Sequence, residues 1–150
     1  MGVVMFYHLT TSRADDTARN LLTRSLQAGW RVMLRGTDAA GLDELDTALW
    51  HGPDEAFLPH GMEGGPDDAR QPILLGRGPI GNAAQALMAV DGALVDVAEA
   101  EGLERVFILF DGQNEDAVAA ARVQWKALTA AGLAAQYWSD AGGSWEKKAG

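Results

Sequence analysis

Cysteine is absent from the 150 residues. Disulfides, thiolate zinc sites and a cysteine nucleophile are excluded together, and the composition fits a reducing cytoplasm. Long apolar runs are absent too. Nowhere do about 18 apolar residues stand together, and the opening "MGVVMFYHLTTS" has a short apolar stretch with no basic lead. Neither a signal peptide nor a membrane span is expected, and the expected location is cytoplasmic. "MGVVMF" also lacks the Ser or Thr of a myristoylation motif. Basic residues are scarce: 12 Lys and Arg stand against 21 Asp and Glu, a net charge of −9. Such a chain is not built to hold nucleic acid by neutralising phosphates over a broad surface. The scarcity is uneven. Residues 1–121 carry 8 basic and 19 acidic side chains, whereas residues 122–150 carry 4 and 2, so an anionic partner is expected at the C-terminal end.

What is present reads as one α/β domain over residues 1–150, long enough to bury about 70% of its unfolded surface. "VVMFYHL" (3–9) is a β-rich apolar run. In the stretch that follows, Ala14, Ala18, Leu21, Leu22 and Leu26 fall on one helical face, with Ser and Thr at its start and Gly29 at its stop. "WRVMLRG" (30–36) is a second strand, and strand, helix, strand in that order predicts a parallel βαβ unit. A second helix fits "DAAGLDELDTALW", through Leu42, Leu45 and Leu49. "AFLPH" reads as a short strand that Pro59 confines to an edge, and "GMEGGPDDARQP" (61–72) as a loop. "ILLG", "QALMAVDG" with its Asp-Gly turn, and the continuously apolar "RVFILFDG" (105–112) supply further strands. "NEDAVAAARVQWKALTAAG" is the strongest helix, with Asn114 as cap, Glu115 and Asp116 in the first turn and Gly132 at the end. The expected architecture is a mostly parallel central sheet with helices on both faces.

Motifs for catalysis are few. "GRGPIG" (76–81) matches G-x-G-x-x-G, with Asp96 and Glu99 about twenty residues on. Pro79 removes an amide that a pyrophosphate would use, and the following "QALMAVDG" reads as a strand rather than a helix, so a glycine-rich connection is favoured over a small nucleotide-binding enzyme. His8 lies on a predicted strand and no acidic residue stands at ligand spacing from His51 and His60, so no metal or cofactor is expected. No G-x-S-x-G, G-x-x-x-x-G-K-[ST] or H-E-x-x-H occurs. The paired carboxylates of "TDAAGLDELD" read as a solvated helix face. Binding chemistry is better represented. On the helix 114–131, Val118, Ala121, Trp125 and Leu128 make an apolar stripe, and Arg122 and Lys126 stand four apart beside Trp125. "AAQYW" and "GGSWEKKAG" add Tyr137, Trp138, Trp145 and two lysines. Aromatics beside paired cations suit an acidic peptide with an apolar end, or a single strand of DNA stacked on the rings.

Taken in order, "FYHL", "ALWHGPDEAFLPHG", "VFILFDG", "AARVQWKALTAAG", "YW" and "GSWEKKA" resemble the chi subunit of bacterial DNA polymerase III, over nearly the whole chain. The resemblance implies a mononucleotide-binding-like α/β fold without catalysis or cofactor. It implies an accessory of the clamp-loader complex that links the psi subunit to single-stranded-DNA-binding protein. On the matching positions, the surface for the acidic, Phe-ended tail of that protein falls on Arg122, Trp125 and Lys126, near Phe110, Tyr137 and Trp138. Trp125 stands where relatives can carry Tyr, and Val118 where some carry a basic residue. The psi-binding surface maps to Trp50 and Phe57, with Pro59 and His60 beside them.

Overall fold

The most continuously apolar segment is the centre of the sheet. In a computed structural model, which describes residues 2–51 and 58–150, it forms β6 (Arg105–Asp111). Val106, Ile108 and Phe110 turn to one face and Phe107 and Leu109 to the other, so both faces require cover. The described elements run β1 (Val3–Leu9), α1 (Ala14–Gln27), β2 (Val32–Arg35), α2 (Ala39–Trp50), β3 (Gly61–Met62), β4 (Ile73–Gly76), β5 (Ala86–Ala89), α3 (Val97–Glu101), β6, α4 (Glu115–Ala130), β7 (Ala134–Ser139) and β8 (Glu146–Ala149). The sheet order is β3-β4-β2-β5-β6-β1-β7-β8, and every pairing is parallel except β7 with β8. The expected α/β class, the mostly parallel sheet and the two helical layers are all present. Ala18, Leu21 and Leu22 of α1 and Leu42 and Leu49 of α2 close one face; Ala100 of α3 with Ala121 and Leu128 of α4 close the other.

Several local expectations are corrected. The parallel direction expected of β1 and β2 holds, with β5 and β6 between them in the sheet, and other local readings change. Ala14 is exposed, since α1 begins there at the rim of the sheet, and Leu26 is half-buried. The Thr and Ser before α1 do not cap it: the N-cap is Arg13, without a side-chain cap. They clasp Asp140 instead. Residues 58–60 are not a strand; the His60 ring bonds the Leu58 carbonyl at 2.6 Å, and the edge strand begins at Gly61. The glycine-rich stretch 61–72 is more than a loop: it supplies β3 and a 3-10 turn at Asp68–Arg70, where Asp68 accepts from the Gly64 and Gly65 amides. Two short elements, α3 and β8, escape sequence reading because neither carries a full amphipathic period.

Asp140 ties the β1–α1 connection to the end of β7. Its Oδ1 accepts from the Thr10 amide and hydroxyl at 2.7 and 2.8 Å, and its Oδ2 from the Ser12 amide at 2.7 Å and the Thr11 amide and hydroxyl at 3.2 Å. Burial pushes this carboxyl up, but the bonds from Ser12 and Thr10 outweigh it and hold it well below the usual carboxylate range. A second buried charge, Arg35 at the end of β2, is held by Glu99 of α3 (Nη2 to Oε2, 3.0 Å) and donates to the carbonyls of Leu94 and Gly78. No helix among the described residues is long and apolar enough to cross a membrane.

Candidate protein-binding surface

Helix α4 sits where it does because its ends and one polar side chain leave it little freedom. Asn114 accepts from the Asp116 and Ala117 amides at 3.0 and 3.2 Å, and Gly132 takes φ +91° at the stop, a conformation that a side chain would strain. Buried Gln124 donates to the Ala93 carbonyl at 3.2 Å and accepts from the Val95 amide at 3.1 Å, which sets the rotation of the helix. With Ala121 and Leu128 inward, Arg122 and Lys126 face solvent, and Trp125 lies half-buried against the sheet.

Beneath Trp125 is an aromatic floor carried by the parallel register of three strands. Phe6 of β1 pairs with Ile108 and with Tyr137 of β7, and His8 pairs with Phe110, so all of these side chains share the α4 face. Trp125 stands edge-on to Phe6 at 5.3 Å and to Tyr137 at 6.0 Å, and Tyr137 stacks on Phe6 at 6.5 Å. His8 is the neighbour of this candidate surface that sequence reasoning missed: its Nδ1 lies 2.7 Å from the Tyr137 hydroxyl, and its ring meets Phe110 at 5.2 Å. The signal was available, because alternate residues Phe6 and His8 of one strand share a face. Burial raises the Tyr137 phenol while the nearby Arg122 charge acts in the opposite direction, so the phenol stays neutral at physiological pH.

The electrostatics are equally specific. The ion pairs among the described residues are Arg13–Asp15, Arg35–Glu99 and Lys148–Glu146, His60 stands 3.1 Å from Asp46, and none of these uses Arg122 or Lys126. Two like charges one turn apart cost a few tenths of a kcal/mol, which an anion between them relieves. Of the predicted tail-binding residues, Arg122, Trp125, Lys126 and Tyr137 therefore come together, with buried Phe110 in the floor. Trp138 does not join them. Adjacent strand residues point to opposite faces, and Trp138 packs on the α1 side with Trp145 and Tyr7.

The predicted second surface is at the end of α2. Trp50 is 48% exposed, and its ring lies 4.0 Å from that of His60. His60 is itself buried, with Nε2 3.1 Å from Asp46 Oδ1, so it is the plate under Trp50 rather than a contact residue. Pro59 is half-buried, and Phe57 lies outside the described residues.

The nucleotide motif takes another role. "GRGPIG" joins β4 to β5 with no helix between, and the carboxylate of Glu63 accepts from the amides of Arg77 (3.0 Å) and Gly78 (3.4 Å), two donors a phosphate would need. A Cβ at Gly76 would lie 2.0 Å from the Glu63 carboxylate oxygen, so glycine is needed to admit it. Asp96 and Glu99 are committed to the start of α3 and to Arg35. The crevice at the carboxyl ends of β1, β5 and β6, where such folds commonly bind ligands, has a volume of about 730 Å³. It is lined by Asp91, Asp111 and Asp116 without a lysine or arginine. His8, His51 and His60 lie in separate settings, and no group of three metal-ligating side chains occurs among the described residues.

Fold and surface thus define a class: a mostly parallel α/β protein whose glycine-loop amides are occupied by its own carboxylate and whose cations Arg122 and Lys126, outside the ion pairs among the described residues, flank aromatics on an outer helix. Comparison with known sequences makes this specific. Residues 1–136 match the family described as DNA polymerase III chi subunit, HolC, and the chain belongs to that family. The DNA polymerase III subunit chi of Pseudomonas aeruginosa is 38% identical over 88 residues, which cover 55% of this chain and 59% of that relative.

Proposed function

We propose that this chain is a non-catalytic adaptor of the DNA polymerase III clamp-loader complex in DNA replication. It holds the acidic, Phe-ended tail of single-stranded-DNA-binding protein on α4 and the psi subunit beside Trp50 and Phe57. The observation that carries the reading is the pair Arg122 and Lys126, outside every ion pair among the described residues of an acidic protein, flanking half-buried Trp125 beside Tyr137. Tail carboxylates meet the two cations, and the terminal ring packs beside Trp125 and Tyr137. For psi, exposed Trp50 is the anchor, braced from below by His60 and Asp46.

The test is fluorescence anisotropy with a labelled peptide of acidic residues ending in Phe. Binding weakens with salt, because exposed charges are screened over about 8–10 Å at physiological ionic strength. Arg122→Ala costs about 1–2 kcal/mol of binding with stability nearly unchanged, and deleting the terminal Phe costs at least as much. Trp138→Ala leaves affinity unaltered, since that ring is on the other face. A peptide that does not bind, or that ignores both Arg122→Ala and the loss of Phe, overturns the reading.

A further inference from the structure

Strand β7 sends aromatics to both faces of the sheet, and the face away from α4 holds a second aromatic groove. Trp138 lies there, its indole N–H fixed on Gln136 Oε1 at 3.0 Å, together with Trp145, which stands edge-on to Tyr7 at 5.3 Å and 87°. Between these rings and α1 is a cavity of about 660 Å³. Its charges differ from those of the rest of the molecule. Arg24 lines it, and its field reaches the Tyr7 phenol. Lys147 is the cross-strand partner of Trp138 and so stands on the same face. Neither cation belongs to an ion pair among the described residues, whereas Arg13 at the rim is taken by Asp15, and Asp16 is the one carboxylate lining the groove. Both tryptophans lie beyond residue 136, where the match to the chi family ends.

We infer that this groove takes a short run of single-stranded nucleic acid, its bases stacked on Trp138 and Trp145 and its phosphates beside Arg24 and Lys147. Indole faces accept any base, and cations beside them neutralise the backbone, which is the chemistry of non-specific single-strand binding. Two partly exposed indoles with two cations outside every ion pair among the described residues favour a polymer of stacked rings over an acidic peptide, for which the cations on α4 are the better match. The net charge of −9 keeps the contact weak and local, because most of the remaining surface repels phosphate. Tyr137 and Trp138 are consecutive, so the groove and the α4 surface lie back to back at one edge of the sheet. The groove stands without the α4 reading, and the two are separable by mutation.

The experiment is anisotropy of a fluorescein-labelled oligo-dT 12-mer titrated with the full chain from low to physiological salt. A saturable rise at low salt is expected. The slope of log affinity against log salt should be about −1.4, the value for two neutralised phosphates on a single strand. Trp145→Ala and Arg24→Ala each weaken binding about tenfold, Trp145→Phe retains most of it, and Arg122→Ala changes nothing. If Trp145→Ala melts the protein, the exposed changes Arg24→Ala and Lys147→Ala decide the matter. Absence of binding at low salt overturns the inference. So does binding abolished by Arg122→Ala but indifferent to Arg24→Ala, or an acidic peptide that binds in an Arg24- and Trp145-dependent way when the oligonucleotide does not.

Discussion

Changing Asp140 to Asn tests how the β1–α1 connection is held. The carboxylate is 1% exposed and accepts five hydrogen bonds, two from Thr10, two from Thr11 and one from Ser12. An amide has one acceptor oxygen. If its nitrogen takes the Oδ2 position, the Thr11 and Ser12 amides face another donor; if it takes the Oδ1 position, the Thr10 amide does. At least one half-buried backbone N–H, that of Thr10 or Ser12, then loses its acceptor, which costs about 1–3 kcal/mol, and the surviving bonds fall from charge-assisted to neutral strength. The expected loss is about 2–4 kcal/mol, read by urea denaturation followed by circular dichroism, or about 5–15 °C in Tm for a chain of this size. The pH dependence has a definite sign. A carboxyl held below its unfolded value contributes stability above that value, near pH 4, and loses the contribution as pH falls toward the folded value. The deficit of the variant is therefore constant from about pH 6 to 8 and shrinks below about pH 4. A loss under about 0.5 kcal/mol at pH 7, or a deficit unchanged in acid, would refute the clasp.

Glu99→Gln removes the charge opposite buried Arg35 and should destabilise the fold by about 2–3 kcal/mol in urea, less than a fully buried pair because Glu99 is partly exposed. The low-lying Glu99 carboxyl, held down by its bond from Arg35, makes this effect also fade in acid. Gly112→Ala places a Cβ 2.0 Å from His8 Cδ2 and 3.0 Å from the Leu9 carbonyl, so the His8 ring must leave Tyr137. A fall of about 1–3 kcal/mol in stability is expected, with weaker acidic-peptide binding, checked by melting and anisotropy on the same sample. Trp50→Ala should weaken a psi complex by more than about 1 kcal/mol while the isolated fold survives, and a variant that unfolds yet still binds would make Trp50 a core residue.

Periodicity and composition determined the fold class. The run at β6, the middle of the α1 stripe at Ala18, Leu21 and Leu22, the stripes of α2 and α4, and the Asn114 and Gly132 signals are local facts that the structure uses. Half of the α4 surface was legible for the same reason, because helical spacing alone puts Arg122, Trp125 and Lys126 on one side. The remainder depended on which strands became neighbours. Only the insertion of β1 between β6 and β7 brings Phe6 and His8 under Trp125 and beside Tyr137. Only the strand alternation that this pairing fixes sends Trp138 to the opposite face, with Tyr7 and Trp145. Thr10, Thr11 and Ser12 have the composition of a helix cap, and the glycines of 76–81 that of a phosphate loop. Asp140, 128 residues along the chain from Ser12, and Glu63, 14 residues from Arg77, claimed those donors first. A buried amide bonds to whichever acceptor the packed chain brings near, and that choice is made by tertiary contact rather than by neighbours in sequence.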